Sequence, residues 1–518
     1  MPPTREDGPT RRSALLALLL AAVSCGGFQL LFGNHNLNLR DEGYLWYGVG
    51  RVLAGEVPLR DFQAYDPGRY YWCAALSPLF GAGIVGVRAS VALFEALGIV
   101  CGLLVVRRVL RHDAWMPLVT VLLLLWMFPR HKLFEPAITL IAVWSVTRLI
   151  ERPSAGRHLF LGVVVGLAAV FGRNHGLYLG LVALLVTVLL SWRGELRPGA
   201  RCVALGALGI LLGYLPVLAM LALVPGFAPA FGHAVLSVLE RGANLPRDYR
   251  WPWLANQEPF AIGLALDAAF LLPLVALPAG AVLVARTARE ELVRRAPLVA
   301  ATLVGVVYVH HFAVCSDLPH LAQAYPPVLL ATLAIVRGLR AGPRLPAAAL
   351  LVLLGVATGS ALEGHTELTP FVPETEDRRS ERANNRVTIE IAGETVSLKL
   401  IQAVLVHHVQ AVVARHVGDE ELFIAPTMPM WYPILGKRSP TWWIYFLWPA
   451  TEEEQRETID RLEQRGVRWA LIIDRPLNDV EEYGFERTNP LVLEHLAREW
   501  EPVPDSDLPK SYHLFRRR

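Results

Sequence analysis

Arg11-Arg12-Ser13-Ala14-Leu15-Leu16-Ala17-Leu18-Leu19-Leu20-Ala21-Ala22-Val23-Ser24-Cys25-Gly26-Gly27-Phe28-Gln29-Leu30-Leu31 is a basic pair followed by an apolar run. The polar stretch Asn38-Leu39-Arg40-Asp41-Glu42-Gly43-Tyr44 comes soon after it. As a helix the run is long enough to cross hydrocarbon, which takes about 20 residues. No A-x-A cleavage site precedes the polar stretch, so we expect a retained first helix and not a secretory leader. Asp41 and Glu42 then stand just past the end of that helix. Carboxylates are costly near lipid, and at such a place they are functional candidates.

The same pattern recurs along the chain. Of 518 residues, 53% are apolar and 18% charged, which describes a polytopic α-helical membrane protein and not a soluble domain. Apolar segments near 13–33, 83–106, 114–129, 136–150, 158–171, 176–192, 202–224, 261–285, 297–314, 322–337 and 345–362 predict about eleven transmembrane helices. Basic residues such as Arg107, Arg108, Arg111, Arg148, Arg152, Arg157, Arg286, Arg289, Arg294, Arg295, Arg337, Arg340 and Arg344 fall in alternate connections. Positive loops stay cytoplasmic, so we expect a plasma-membrane protein with its N-terminus inside and its tail outside. The net charge of +3 is spread over these loops and does not indicate a nucleic-acid surface. The five cysteines show no CxxC pair, the mark of a zinc or redox site.

The expected domains are a transmembrane region, 1–362, a polar linker, 363–386, and an extracytoplasmic α/β domain, 387–518. The first outer loop, 34–82, carries two amphipathic stretches, 42–54 and 68–80, whose aromatic residues suit a membrane–water boundary. In the tail, segments 387–391 and 395–398 flank Ala392-Gly393-Glu394 as a hairpin. Helices are expected at 399–417, 452–465 and 490–499, and strands at 421–425, 468–473 and 511–515. Alternating strands and helices predict a largely parallel sheet. Residues 426–449 form a long aromatic loop, either buried or exposed for a glycan or partner.

Several polar clusters interrupt the apolar pattern. The first loop holds Asp41-Glu42-Gly43-Tyr44, then Leu59-Arg60-Asp61-Phe62, then Asp66-Pro67-Gly68-Arg69-Tyr70-Tyr71. Acids at a helix start are stabilised by its dipole, so Asp41 and Glu42 read either as helix-start residues or as a general base, which must reach the proton it removes. Asp66 before Pro-Gly reads first as a turn residue. Further along come Pro129-Arg130-His131-Lys132-Leu133-Phe134-Glu135, then Gly172-Arg173-Asn174-His175-Gly176, and then His310-His311 with Ser316-Asp317-Leu318-Pro319-His320. The expected orientation puts all of them on the outer side.

The first-loop pattern, with the succession of spans, resembles the bacterial membrane glycosyltransferases of the GT-C superfamily, of the protein mannosyltransferase and aminoarabinose transferase type. The resemblance implies transfer of a sugar from a polyprenyl-phosphate carrier to an extracytoplasmic glycan, lipid or protein acceptor. It assigns the base to Asp41 with Glu42 adjacent, and makes Asp61 and Glu135 second acidic candidates. Relatives more often carry Asp where this chain has Glu135. The phosphate of the carrier would be held by Arg69, Arg130, Lys132, Arg173, His175 and His320. A divalent ion, Mg or Mn, is a further expectation, with Asp41, His311 and Asp317 as ligands. Two other classes remain open on the sequence: a lipid-carrier transporter or flippase, and a non-catalytic scaffold with a partner-binding outer domain. A transporter would place charges at mid-bilayer in broken helices, whereas these lie at helix ends.

Overall fold

The structure, a computed structural model, describes residues 10–193, 199–241, 247–251, 259–339, 344–365, 386–476, 480–504 and 508–518. The helices in chain order are α1 (Arg11–Phe32), α2 (Asp41–Leu53), α3 (Gly68–Phe80), α4 (Ile84–Leu110), α5 (Met116–Trp126), α6 (Phe134–Glu151), α7 (Ala155–Phe171), α8 (Arg173–Arg193), α9 (Ala200–Leu223), α10 (Phe227–Arg241), α11 (Phe260–Ala285), α12 (Ala296–Val314), α13 (Leu318–Leu339) and α14 (Arg344–Gly364). The tail follows with β1 (Arg386–Ile391), β2 (Glu394–Lys399), α15 (Leu400–His416), β3 (Leu422–Ala425), α16 (Glu452–Gln464), β4 (Trp469–Ile473), α17 (Pro490–Glu499), β5 (Trp500–Pro502) and β6 (Tyr512–Arg517). Each expected apolar span coincides with a helix. Among the described residues, α1, α4, α8, α9, α11, α12, α13 and α14 are long and apolar enough to cross a membrane. Most of the expected linker, 366–385, lies outside the described residues.

The chain divides into two compact units. One holds 1–32, 91–223 and 242–376; the other holds 33–90, 224–241 and 377–518. In the first, the span unit, α7 and α9 approach backbone to backbone. A Cβ at Gly162 would lie 2.1 Å from the Gly206 carbonyl oxygen, and one at Gly166 2.3 Å from that of Ile210. From the other side, Gly209 and Gly213 meet the Leu159 and Val163 carbonyls at 2.2 and 2.3 Å. Two small-xxx-small stripes, Gly162/Gly166 and Gly209/Gly213, thus interlock. In lipid, where burying apolar surface gives no advantage, close packing of small residues is what draws helices together. Elsewhere in this unit Trp126 stacks on Tyr325 with ring centroids 3.4 Å apart.

The second, loop–tail unit joins the first loop, 33–90, to the tail. Here β1 and β2 pair antiparallel across Ala392-Gly393, both with positive φ, as a tight hairpin turn requires. The four-stranded sheet has the order β3-β4-β6-β5. Only β3 and β4 run parallel; β4 with β6, and β5 with β6, are antiparallel. The expected largely parallel sheet is therefore corrected to a mixed one, and β5 and α10 are additions to the expected elements. Phe423, Ala470, Ile472, Phe446, Leu462, Val492, Leu496 and Trp500 form its core.

The loop is stitched to the tail through its backbone. Asn36 N–H donates to Ser397 O, and Ser397 N–H to Asn34 O. The Gln402 amide donates to Leu37 O and accepts from Leu37 N–H. Gln63 Oε1 accepts from the N–H groups of Ile444 and Tyr445, while its Nε2 donates to Tyr445 O. Trp442 Nε1 donates to Leu59 O. The aromatic loop is thus occupied by the first loop: Trp431, Tyr432, Ile444, Tyr445 and Phe446 are buried.

Replacing Gly166 or Gly213 with Leu should push α7 and α9 apart and cost about 1–3 kcal/mol, the usual effect of overpacking, with a clear drop in the unfolding midpoint in detergent. Gly27 has open space around its Cβ position, and Gly27→Ala should leave the midpoint unchanged. Equal midpoints for all three variants would contradict the glycine-stripe packing.

Candidate active site

In the loop–tail unit, Asn38 starts α2: its Oδ1 accepts from the N–H groups of Arg40 and Asp41. That places Asp41 and Glu42 in the first turn, where the helix dipole favours negative charge. As successive helix residues, roughly 100° apart around the axis, the two carboxylates point in different directions. Glu42 is 2% exposed and meets Arg88 in a two-pronged pair, Arg88 Nε to Oε1 at 2.7 Å and Nη2 to Oε2 at 2.6 Å. Arg88 also donates to the Gly33, His35 and Asn36 carbonyls at 2.7, 3.2 and 2.6 Å. This guanidinium, itself 3% exposed, ties the chain between 33 and 36 to α2. Planar, forked recognition of this kind is what arginine supplies and lysine does not.

Asp41 is half-buried. Its Oδ1 accepts from the Tyr445 hydroxyl at 3.2 Å. Burial, and then the Asp41 charge, hold the Tyr445 phenol well above its usual range, so it stays a donor. Tyr44 lies edge-on to Tyr445 at 5.7 Å and to Tyr65 at 4.7 Å, and the Arg69 guanidinium sits 5.0 Å from the Tyr65 ring centroid. Asp41 thus stands at one end of a run of contacts that passes through Tyr445, Tyr44 and Tyr65 to Arg69. Gly43 is required beside it, because a Cβ there would lie 2.3 Å from that of Met430, whose N–H donates to Leu39 O.

Asp61 has other work. Both its oxygens accept from Arg60, and Oδ2 also closes a turn on Val57 N–H at 2.7 Å. The Arg60 bond holds its carboxyl below the usual carboxylate range. Asp66 is buried at the N-terminal end of α3.

The remaining candidates belong to the span unit. Arg130, His131 and Lys132 form one 3-10 turn before α6, whose first turn carries buried Glu135. Arg130 Nη1 donates to Phe32 O at 3.2 Å and so caps the end of α1. Arg173 heads α8, two residues before His175, whose Nδ1 is 3.1 Å from the Tyr308 hydroxyl. The His175 and His311 rings are 6.1 Å apart, and those of His311 and His320 5.7 Å. His311 Nε2 bonds Gln323 Oε1 at 2.9 Å; Glu135 and Lys132 lie within electrostatic reach of His311. His320 Nδ1 bonds Asp317 Oδ1 at 2.6 Å, and Arg247 stands 3.8 Å from Asp317 Oδ2. Burial alone would raise the Asp317 carboxyl, but His320 and Arg247 outweigh it and hold it low. His175, His311, His320, Asp317, Lys132 and Glu135 are thus one cluster.

The expected metal ligands divide between the two units. Asp41 belongs to the loop–tail unit, and His311 is engaged by Gln323. Asp317 groups with His320 and Cys315, their ligand atoms all within 4.8 Å of one another. A thiol, an imidazole and one carboxylate do not fit Mg or Mn, which take oxygen ligands. Three participants escaped sequence reasoning. Arg88 is a single cation inside an apolar run, Tyr445 lies some 400 residues from its partner (positions 41 and 445), and Arg247 sits in a loop.

No protein-family model matches the chain, and no curated protein matches it. Solved structures do. ArnT from Cupriavidus metallidurans bound to undecaprenyl phosphate aligns over 97% of each chain at 15% identity with a TM-score of 0.54. Its apo state aligns over 96% of this chain and 97% of that one at 15% identity, with a TM-score of 0.48. The archaeal oligosaccharyltransferase AglB from Archaeoglobus fulgidus, in complex with an inhibitory peptide and a dolichol-phosphate, aligns over 97% of this chain and 75% of its own at 11% identity, with a TM-score of 0.43. The fold, apolar helices followed by a tail with a small sheet, is similar to that of ArnT bound to undecaprenyl phosphate over nearly the whole chain.

Removing either partner of the Arg88–Glu42 pair strands a buried charge, which costs about 3–5 kcal/mol. Arg88→Leu and Glu42→Leu should each lower the unfolding midpoint sharply, and the double variant should recover part of the loss. A double variant less stable than both single ones would contradict the pairing.

Proposed function

We propose that this protein is an integral membrane glycosyltransferase. It transfers a sugar from a polyprenyl-phosphate carrier to a hydroxyl of an extracytoplasmic glycan, lipid or protein, with Asp41 as the general base. The observation that carries the proposal is the difference between neighbouring acids: Glu42 is locked in a buried pair with Arg88, while half-buried Asp41 accepts, among the described residues, from the Tyr445 hydroxyl on one oxygen. Support for the carrier comes from the fold it shares with a transferase that binds undecaprenyl phosphate.

In the proposed reaction an acceptor hydroxyl gives its proton to Asp41 as its oxygen bonds to the anomeric carbon. The bond from that carbon to the carrier's phosphate oxygen breaks, and polyprenyl phosphate leaves with the electron pair. The anomeric centre passes through an oxocarbenium-like state, and a single displacement inverts it. Negative charge growing on the phosphate is stabilised by fixed cations and donors. We assign that work to Lys132, Arg173, His175 and His320, with Arg69 and Arg130 as further candidates. Arg130 also caps α1 and Arg69 also rests on Tyr65, so substituting these two combines structural and binding effects. Glu135 and Asp61 act as positioning acids, Glu135 beside His311 and Asp61 within its own turn. The tail and first loop lie outside the membrane and the N-terminus inside, as the basic connections require.

Asp41→Asn should lower transfer from a polyprenyl-phosphate sugar at least about a hundredfold, the usual scale for a general base, with an unchanged unfolding midpoint. Tyr445→Phe removes a donor to a charged group and should slow transfer about tenfold. A radiolabelled transfer assay on purified protein reads both, and near-normal turnover by Asp41→Asn would refute the assignment.

A further inference from the structure

Helix α15 of the tail buries one side and leaves a second apolar patch open on another. Ala403, Val406, Val409, Val412 and Val413 are buried. Leu400, Ile401 and Val404 are 46%, 79% and 42% exposed. At about 100° per residue, these three share a sector of the helix with His408, Ala411 and Arg415. The sector is therefore apolar at its start and basic toward its end. From Lys399 to Gly418 the sequence holds Lys399, Arg415, His407, His408 and His416, and no acid.

The hairpin before α15 fixes where this patch lies. Ser397 of β2 exchanges two backbone hydrogen bonds with the chain just past α1: it accepts from Asn36 N–H at 3.0 Å and donates to Asn34 O at 2.9 Å. Arg386 of β1 donates to Asn36 Oδ1 at 3.0 Å. At the hairpin turn, Glu394 caps the start of α4. Its Oε2 accepts from Val85 N–H at 2.7 Å and its Oε1 from Gly86 N–H at 3.2 Å, groups that a helix start leaves open. Gly83 admits this carboxylate, because a Cβ there would lie 2.1 Å from Glu394 Cδ. Residues 33–90 and the hairpin all belong to the loop–tail unit. Both α1 and α4 are long and apolar enough to cross a membrane. The hairpin is thus bonded to the chain that leaves one span and to the entry of the next. Leu400 follows Ser397 by three residues, at most about 11 Å of chain.

An exposed apolar patch held at that level marks an interaction surface, and a lipid leaflet fits it on three counts. The leaflet is already there, since the spans on either side of the first loop meet the bilayer surface where the hairpin binds. Leucine, isoleucine and valine enter the boundary between headgroups and acyl chains, as the apolar face of an interfacial helix does. The basic, acid-free remainder of the sector complements anionic headgroups, which attract lysine and arginine.

We infer that α15 is an interfacial anchor whose Leu400, Ile401 and Val404 face docks onto an anionic phospholipid leaflet, the one at which α1 ends and α4 begins. The anchor ties the tail to the membrane and uses no residue assigned to the transfer reaction, so it stands or falls independently of that reaction.

Fluorescence quenching on the full-length protein in phospholipid nanodiscs tests the anchor. Ile401→Cys and Val404→Cys are each labelled with bimane, and the wild-type protein, with five cysteines of its own, is labelled in parallel as background. The account predicts that a doxyl-labelled lipid quenches both probes at least about twofold more than aqueous iodide does, as insertion at the interface requires. Replacing phosphatidylglycerol with phosphatidylcholine, or Arg415→Glu in phosphatidylglycerol discs, should lower the lipid quenching, because the electrostatic attraction is lost. Both labelled positions are exposed, so unfolding midpoints should stay at the wild-type value and the quenching reads position and not misfolding. Quenching by iodide alone would leave the patch in water. Shielding from both quenchers would mean that protein covers it, whether a second copy or another part of this chain. Lipid quenching that ignores headgroup charge would remove anionic lipid as the partner. Each of these three results would overturn the inference.

Discussion

A buried guanidinium governs the arrangement around the proposed base. Arg88, near the start of the first long span after the loop, reaches three backbone carbonyls and both oxygens of Glu42. Such a charge is tolerable only when every donor is used, since an unmatched one would cost several kcal/mol. The consequence is local and directional. With Glu42 held, the first turn of α2 has one fixed rotation, and Asp41 comes out on the face where Tyr445 supplies a hydroxyl. The adjacent acids thus divide the labour: one holds the helix in place and the other is available for chemistry.

The tail is joined to this arrangement through the backbone. Gln63 and Gln402 each use both ends of their amides to bind main chain across the loop and the tail, and Met430 packs against Gly43 so closely that no side chain fits. This joinery gives the long aromatic stretch after β3 its purpose. It delivers Tyr445 to the carboxylate. The span unit holds a separate set of groups, in which three histidines, Asp317, Lys132 and Glu135 form one electrostatic cluster at helix ends.

How much of this could be read in advance depends on the range of the forces involved. Hydropathy acts over single helices, so every expected apolar span corresponds to a helix, and the acids at Asp41 and Glu42 stand out against their surroundings. The interlocking of Gly162 and Gly166 with Gly209 and Gly213 depends on two helices meeting, and neither stripe reveals its partner. Helix α10 is amphipathic and short, and it lacks the length that marks a span. The sheet was misread because a strand, a helix and a strand do suggest a parallel pair, as β3 and β4 are. The very short β5, ending in a proline suited to an edge, gave too little pattern to show that the last strand returns antiparallel.

Site roles were legible to a lesser degree. Asp61 resembled a second catalytic acid, yet Arg60 and the Val57 amide use its oxygens. Arg130 resembled a phosphate ligand, and it caps α1. Arg88 is one cation inside an apolar run, and nothing local to it shows that it organises the first loop. The account turns on the separation of function between Asp41 and Glu42, and the most direct measurement plots transfer rate against unfolding midpoint for single substitutions at 41, 42 and 88. The account predicts that substitutions at 42 and 88 lower both quantities together, and that the amide at 41 removes the rate alone. If the amide at 41 costs stability but leaves turnover, or a change at 42 abolishes turnover in a fully stable protein, the assignment is wrong.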